Sequence, residues 1–217
     1  MRAMATPLLL GHRGLRMPRL APENTFAAFD LAIEHGCDGF EFDVRRSSDG
    51  QAVICHDPEV GGLEIARTPA KILALPTLAE VLRSFGSRAF LDIELKVGGL
   101  EADVAALLQQ HPPQQGYVVS SFLTDVITAI HDLDATIPLG FLCEKRDELH
   151  FWRESPVTWV IPKAELAGEA LIREVHGPGK KTMIWTVNRA EDMRRFVEWG
   201  ADSVISDETE LLVRSLR

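Results

Sequence analysis

Long apolar runs, paired cysteines and surplus positive charge are all missing from this 217-residue chain, and each absence removes a class of function. No stretch approaches the roughly 20 apolar residues that span a bilayer, so stable membrane insertion is not expected. The N-terminal apolar run, Leu8-Leu9-Leu10, is too short for a signal-peptide core and no cleavage site follows it, which makes the cytoplasm the expected location. The three cysteines, Cys37, Cys55 and Cys143, are odd in number, widely spaced and free of any Cys-x-x-Cys. That argues against a disulfide framework and against a thiolate zinc site. Lys and Arg number 23 against 32 Asp and Glu, a net charge of -9. An acidic surface repels nucleic-acid backbones, so DNA and RNA are poor partners, while a local cationic pocket can still hold one phosphate. Internal repeats, low-complexity tracts and linkers are absent too. The length fits one domain spanning 1–217.

What is present is an alternation of short apolar runs with amphipathic segments. Strands are expected at Pro7–Gly11, Gly39–Val44, Phe90–Lys96, Tyr117–Ser120, Leu139–Leu142, Trp159–Pro162, Met183–Val187 and Ser203–Ser206. Helices are expected at Thr25–His35, Leu78–Phe85, Glu101–Gln110, Asp125–Leu133, Arg146–Trp152, Leu166–Val175, Ala190–Trp199 and Glu208–Leu216. Such alternation indicates a parallel sheet with helical crossovers, and its length in repeats points to an α/β fold of the (β/α)8 TIM-barrel type. An open doubly wound sheet is the alternative, but its Gly-x-Gly-x-x-Gly turn is lacking. One segment departs from the alternation. Asp49-Gly50 reads as a two-residue hairpin turn, extending the second strand beyond the rim as a β-hairpin. That turn puts Asp43 opposite His56, with a bulge shifting the pairing by one residue. The stretch Pro58–Pro76 is the least regular and is expected to lie over the barrel mouth.

Side chains on a strand alternate with period 2, so Glu41-Phe42-Asp43 puts two carboxylates on one face, and Asp92-Ile93-Glu94-Leu95-Lys96 repeats the pattern. Acids directed into a barrel are costly unless paired or bound to a metal, and an all-oxygen set suits a hard cation such as Mg²⁺ or Ca²⁺. Rim carboxylates merely paired with Arg and Lys are the plainer alternative. His12-Arg13 follows the first apolar run and so sits at a strand C-terminus, where barrel active sites are built. Histidine exchanges protons near neutral pH and Arg13 offers a donor fork matched to phosphate. His56 joins them only through the hairpin. The remaining histidines, His35, His111, His131, His150 and His176, fall on helices or their ends. Asn24 or Thr25 reads as a helix N-cap. Trp185 and Phe122 close strands and are candidates for pocket walls, with Asn188 a polar contact.

Together these pieces resemble the glycerophosphodiester phosphodiesterase family. The matching text is Gly11-His12-Arg13-Gly14, Pro22-Glu23-Asn24-Thr25, Glu41-Phe42-Asp43-Val44, Asp49-Gly50, His56-Asp57, Glu94-Leu95-Lys96, Ser121-Phe122, Trp185-Thr186-Val187-Asn188 and Ile205-Ser206-Asp207, in the family's order and across nearly the whole chain. The resemblance implies a (β/α)8 barrel with one divalent cation on Glu41, Asp43 and Glu94. It implies His12 and His56 as the acid/base pair, and Arg13 and Lys96 as holders of the phosphate. It also implies hydrolysis of a small glycerophosphodiester to glycerol 3-phosphate and an alcohol. Two other activities fit the same residues: lysophospholipase-D-like cleavage of an acylated diester, favoured by an apolar mouth of Leu63, Ile65, Phe122 and Trp185, and non-catalytic binding of phosphorylated ligands. The chain departs from the family in the segment between His56 and Glu94, which at 37 residues is shorter than the insertion common there.

Overall fold

A computed structural model describes residues 6–16 and 21–217; the first residues of the N-terminal segment weighed above as a leader lie outside them. The chain runs β1 (Leu8–Gly11), α1 (Phe26–Glu34), β2 (Gly39–Arg46), β3 (Ala52–Ile54), β4 (Glu59–Val60), β5 (Leu63–Glu64), α2 (Ala70–Leu73), α3 (Leu78–Phe85), β6 (Phe90–Leu95), α4 (Glu101–Gln110), β7 (Tyr117–Ser121), α5 (Thr124–Leu133), β8 (Leu139–Cys143), β9 (Trp159–Pro162), α6 (Glu169–His176), β10 (Lys181–Ile184), α7 (Ala190–Glu198), β11 (Ser203–Ser206) and α8 (Thr209–Leu216). Parallel pairing proceeds β1-β2-β6-β7-β8-β9-β10-β11 and returns to β1, so the sheet closes on itself. This is the (β/α)8 barrel, with β3 added antiparallel to the end of β2.

Strand parity sorts the side chains. Leu10, Phe90, Val118, Leu142, Trp159, Ile161, Met183 and Ile205 fill the barrel interior. The alternate residues face the helices, where Phe40 stacks on Phe29 at 4.2 Å and meets Phe85 edge-on at 5.1 Å. Burying each such ring contributes about 1.5–3 kcal/mol. On β2 and β6 the inward positions are acidic. Their register sets Glu41 beside Asp92 and Asp43 beside Glu94, while Phe40, Phe42, Leu91 and Ile93 turn outward into the apolar layer.

The hairpin differs in register from the two-residue turn. Val44 pairs with Ile54 and Arg46 with Ala52, so Asp43 stands level with Cys55, one residue short of His56. The loop is a three-residue one: Gly50 alone takes the left-handed backbone, at φ 84, and its N–H donates to the Ser47 carbonyl. A type I turn closed by a left-handed glycine matches the strand twist with one residue more than the Asp-Gly reading allows. The Ser47 hydroxyl fixes that choice by accepting from Gln51 N–H at 2.9 Å. Three other expectations shift. Residues Arg146–Arg153 form a 3-10 helix rather than an α-helix. The stretch from Pro58 holds the small β4–β5 ribbon and α2. Strand β10 ends at Ile184, leaving Trp185 just beyond it.

Candidate active site

The turn after β1 is wound tightly. A Cβ on Gly11 would lie 1.9 Å from the Gly14 carbonyl oxygen, and Arg13 itself takes a left-handed backbone at φ 53. The coil aims the Arg13 N–H at Glu41 Oε2, 2.9 Å away, and lifts the His12 ring over the barrel. His12 Nδ1 lies 2.7 Å from Asp207 Oδ1. A carboxylate accepts, so this contact fixes the proton on Nδ1 and leaves Nε2 facing the cleft, 3.9 Å from Glu41 Oε2. Asp207 is in turn held by Asn188, whose Nδ2 donates at 2.7 Å and whose Oδ1 accepts from the Asp207 N–H. Burial pushes the Asp207 carboxyl up, but hydrogen bonds and charge from His12 outweigh it, and the net direction is down.

His56 arrives from the far arm of the hairpin. Its Nδ1 is 2.7 Å from Asp57 Oδ1 and its carbonyl accepts from Arg45 Nε. Its Nε2 is therefore also the free nitrogen. The two rings differ in setting: the His12 side chain is 11% exposed and that of His56 34%.

Below them lies the acid cluster. Glu41, Asp43 and Glu94 each present an oxygen, all within 4.8 Å of one another and all on buried residues. Burial first, then Asp43, Glu94 and Asp92, hold the Glu41 carboxyl well above the usual range. Burial and Asp43 raise Glu94 to about 7 against the pull of Lys96. Asp92, buried and accepting from the Ser120 hydroxyl at 2.6 Å, also reaches about 7. Glu41 Oε1 is buried with no hydrogen-bond partner. Three crowded carboxylates with a spare, water-excluded oxygen fit a hard divalent cation, which would remove their mutual repulsion. Arg13 and Lys96 border the cluster. Lys96 Nζ is 2.6 Å from Glu94 and 3.4 Å from Asp43; Arg13 reaches Glu23 at 2.6 Å and Asp43 at 3.3 Å. These acids raise the pKa of both bases although burial opposes it.

One cleft of about 180 Å³ is lined by His12, Arg13, Glu41, His56, Glu94, Lys96, Phe122 and Trp185, joined by Leu142, Glu144 and Ile205, while Asp43 and Asn188 do not line it. Phe122 and Trp185 meet edge-to-face at 5.6 Å, and the indole N–H is bound to the Ile161 carbonyl. Leu63 and Ile65 do not line it. Ile65 is buried with Val53 and Leu73, and Leu63 is an exposed apolar side chain on the β4–β5 ribbon.

The sequence matches the model of the Glycerophosphoryl diester phosphodiesterase family over residues 12–89 and 66–211. The chain belongs to that family. A glycerophosphodiester phosphodiesterase of Caldanaerobacter subterraneus is 29% identical over 97% of this chain and 98% of its own. Among solved structures, an Oleispira antarctica phosphodiesterase in complex with the product sn-glycerol-3-phosphate superposes with a TM-score of 0.86 at 25% identity, covering 97% of this chain and 96% of that one. The glycerophosphodiester phosphodiesterase of Thermotoga maritima gives 0.82 at 25% identity, over 97% and 98%. As a family member the chain is a phosphoric diester hydrolase. No helix among the described residues is long and apolar enough to cross a membrane.

Two partners of the site have no part in it in the sequence reading. Asn24, with a left-handed backbone at φ 59, is not the N-cap; Thr25 is. The Asn24 amide clamps Asp43, donating to Oδ2 at 2.8 Å and accepting from the backbone N–H. Asp207 orients His12 across a separation of 195 residues. Its signal was parity: Ile205 faces the barrel interior, so Asp207 two residues on does as well.

Proposed function

We propose that this phosphodiesterase hydrolyses small glycerophosphodiesters to glycerol 3-phosphate and an alcohol, using one divalent cation and a pair of histidines. The observation that carries the reading is the convergence of two imidazoles, each anchored through Nδ1 to an aspartate, on a buried three-carboxylate cluster flanked by Arg13 and Lys96. Glu41, Asp43 and Glu94 would hold Mg²⁺ or Ca²⁺, and Asn24 would fix the Asp43 carboxylate for that task. Bound there, the cation supplies Lewis-acid stabilisation of the charge that grows on the phosphoryl oxygens.

The chain's own groups do the rest. Arg13 and Lys96 bind and orient the anionic diester. His12 Nε2 takes the proton from an attacking water as the water oxygen bonds to phosphorus. His56 Nε2 gives a proton to the departing alkoxide as the second phosphorus–oxygen bond breaks. The deeper His12, whose aspartate is itself held by Asn188, suits the base. The more exposed His56 suits the acid, because the alcohol it protonates must leave toward solvent. Phe122 and Trp185 form the pocket wall. The Oleispira relative's product complex supports glycerol 3-phosphate as product. The test is hydrolysis of glycerophosphocholine and glycerophosphoglycerol with Mg²⁺ or Ca²⁺ against chelator. Turnover should vanish in chelator and return with the cation; equal rates in both would overturn the metal assignment.

A further inference from the structure

The mouth of the barrel carries a charged pair, just past the ends of β8 and β9, that the proposed chemistry leaves unused. Extending each strand's inward parity by one step past the buried layer gives His12 after Leu10, Phe122 after Ser120, Trp185 after Met183 and Asp207 after Ile205. The same step gives Glu144 after Leu142 on β8, and Lys163 after Ile161 on β9. These two meet across the neighbouring strands, with Lys163 Nζ 3.2 Å from Glu144 Oε1. Both side chains are partly exposed, and such a pair adds little to stability. Lys163 is placed by its N–H on the Cys143 carbonyl and by a bridge to Trp185. The pair therefore stands beside the aromatic corner, across the mouth from the acid cluster.

That side of the cleft is otherwise apolar. Phe122, Leu142, Trp185 and Ile205 line it, and the indole N–H, already given to Ile161, has no hydrogen bond left for a ligand. Glu144 is the polar side chain that lines it. In a carboxylate–ammonium pair the carboxylate accepts from one hydroxyl and the ammonium donates to its neighbour, which matches a vicinal diol, while aromatic faces cover the carbon backbone. The alcohol side of the substrate varies in size and charge and leaves by the exposed His56. The half-buried aromatic faces of Phe122 and Trp185, with one charged pair at their edge, suit the small polyol that stays constant.

We infer that Glu144 and Lys163 are specificity-determining residues that bind the two free hydroxyls of the substrate's glycerol moiety, seated against Phe122 and Trp185. This rests on the reading of the chain as a glycerophosphodiester hydrolase. The test compares Glu144→Ala and Lys163→Ala with the unaltered protein on glycerophosphocholine, glycerophosphoethanolamine and propyl phosphocholine, which keeps the diester and lacks the diol. Binding of sn-glycerol 3-phosphate and of inorganic phosphate is measured alongside by calorimetry. Sites built to hydrogen-bond a hydroxyl discriminate strongly against analogues without it. The variants should raise KM for both glycerol substrates by the same factor, about tenfold or more, with a smaller change in kcat. The preference over propyl phosphocholine should fall by a similar factor, as should the preference for glycerol 3-phosphate over phosphate. An effect confined to one head group would show that Glu144 reads the alcohol instead, and a preserved preference for the diol would remove the pair from recognition; either overturns the inference. If the unaltered protein cleaves no diester, the hydrolase reading fails, and the calorimetric comparison still decides whether the pair recognises glycerol.

Discussion

The two halves of the barrel interior face opposite demands. From β7 to β11 the inward positions below the mouth are largely apolar, with Val118, Leu142, Ile161, Met183 and Ile205 packed as an ordinary core. On β2 and β6 the equivalent positions are Glu41, Asp43, Asp92 and Glu94, each at most 7% exposed. The backbone is alike in both halves, so the contrast lies in side chains alone. One half holds the fold together; the other crowds buried acids that Arg13 and Lys96 offset only in part. The stabilising work for β2 is done on its other face, where Phe40 and Phe42 pack against Phe29.

Breaking the chemical half gives the largest expected effect. His12→Ala should lower kcat by about 10²–10⁴-fold, measured on glycerophosphocholine, with little change in melting temperature. A variant that keeps its rate would remove His12 from catalysis. Breaking the packed outer face of β2 gives a comparable free energy of a different kind. Phe40→Ala should destabilise by about 3–5 kcal/mol in denaturant unfolding, because the cavity opens in a stacked cluster. Next comes Asp207→Asn, which keeps the shape but can donate to the histidine and so favour the wrong tautomer. A loss of about 10²-fold in kcat is expected, with cation affinity from calorimetry unaltered.

The smallest effect sharpens the contrast most directly. Glu41, Asp92 and Glu94 have raised pKa values in the folded chain, so folding favours their protonated forms. The stability this gives is present below the ordinary carboxylate range and is lost as pH rises through about 7. Chelated protein should therefore melt lower at about pH 8 than at about pH 5.5, and Mg²⁺ or Ca²⁺ should flatten the slope. Glu41→Gln should flatten it without metal and raise the chelated melting temperature by a few degrees. A chelated profile that rises over this window would contradict the crowding of charge.

The barrel was readable because β2 and β6 announce their inward faces by acids at every second position, and the other strands by compact apolar runs between helices. The cluster of Glu41, Asp43 and Glu94 follows from the same parity. The hairpin register was not readable, since Asp49-Gly50 serves both a two-residue and a three-residue loop and the choice rests on the Ser47 hydroxyl. The 3-10 helix over Arg146–Arg153 was masked by a periodicity that fits an α-helix as well. Asn24 looked like a cap because a polar residue before an apolar helix usually is one; its turn backbone at φ 59 instead carries it onto Asp43. Glu144 and Lys163 were hidden by sitting just past strands in loop-like text.

The closure of the sheet sets an order of events during synthesis. Strand β1 is made first, yet it pairs with β11 and its histidine is oriented by an aspartate 195 residues downstream. At about 5–20 residues per second, roughly 10–40 s separate the two ends. For that interval a nascent chain has an open edge on β1 and an unoriented His12. On the proposed mechanism the chemistry waits on the last strand, and a fragment ending before β11 lacks the Asp207 contact to His12.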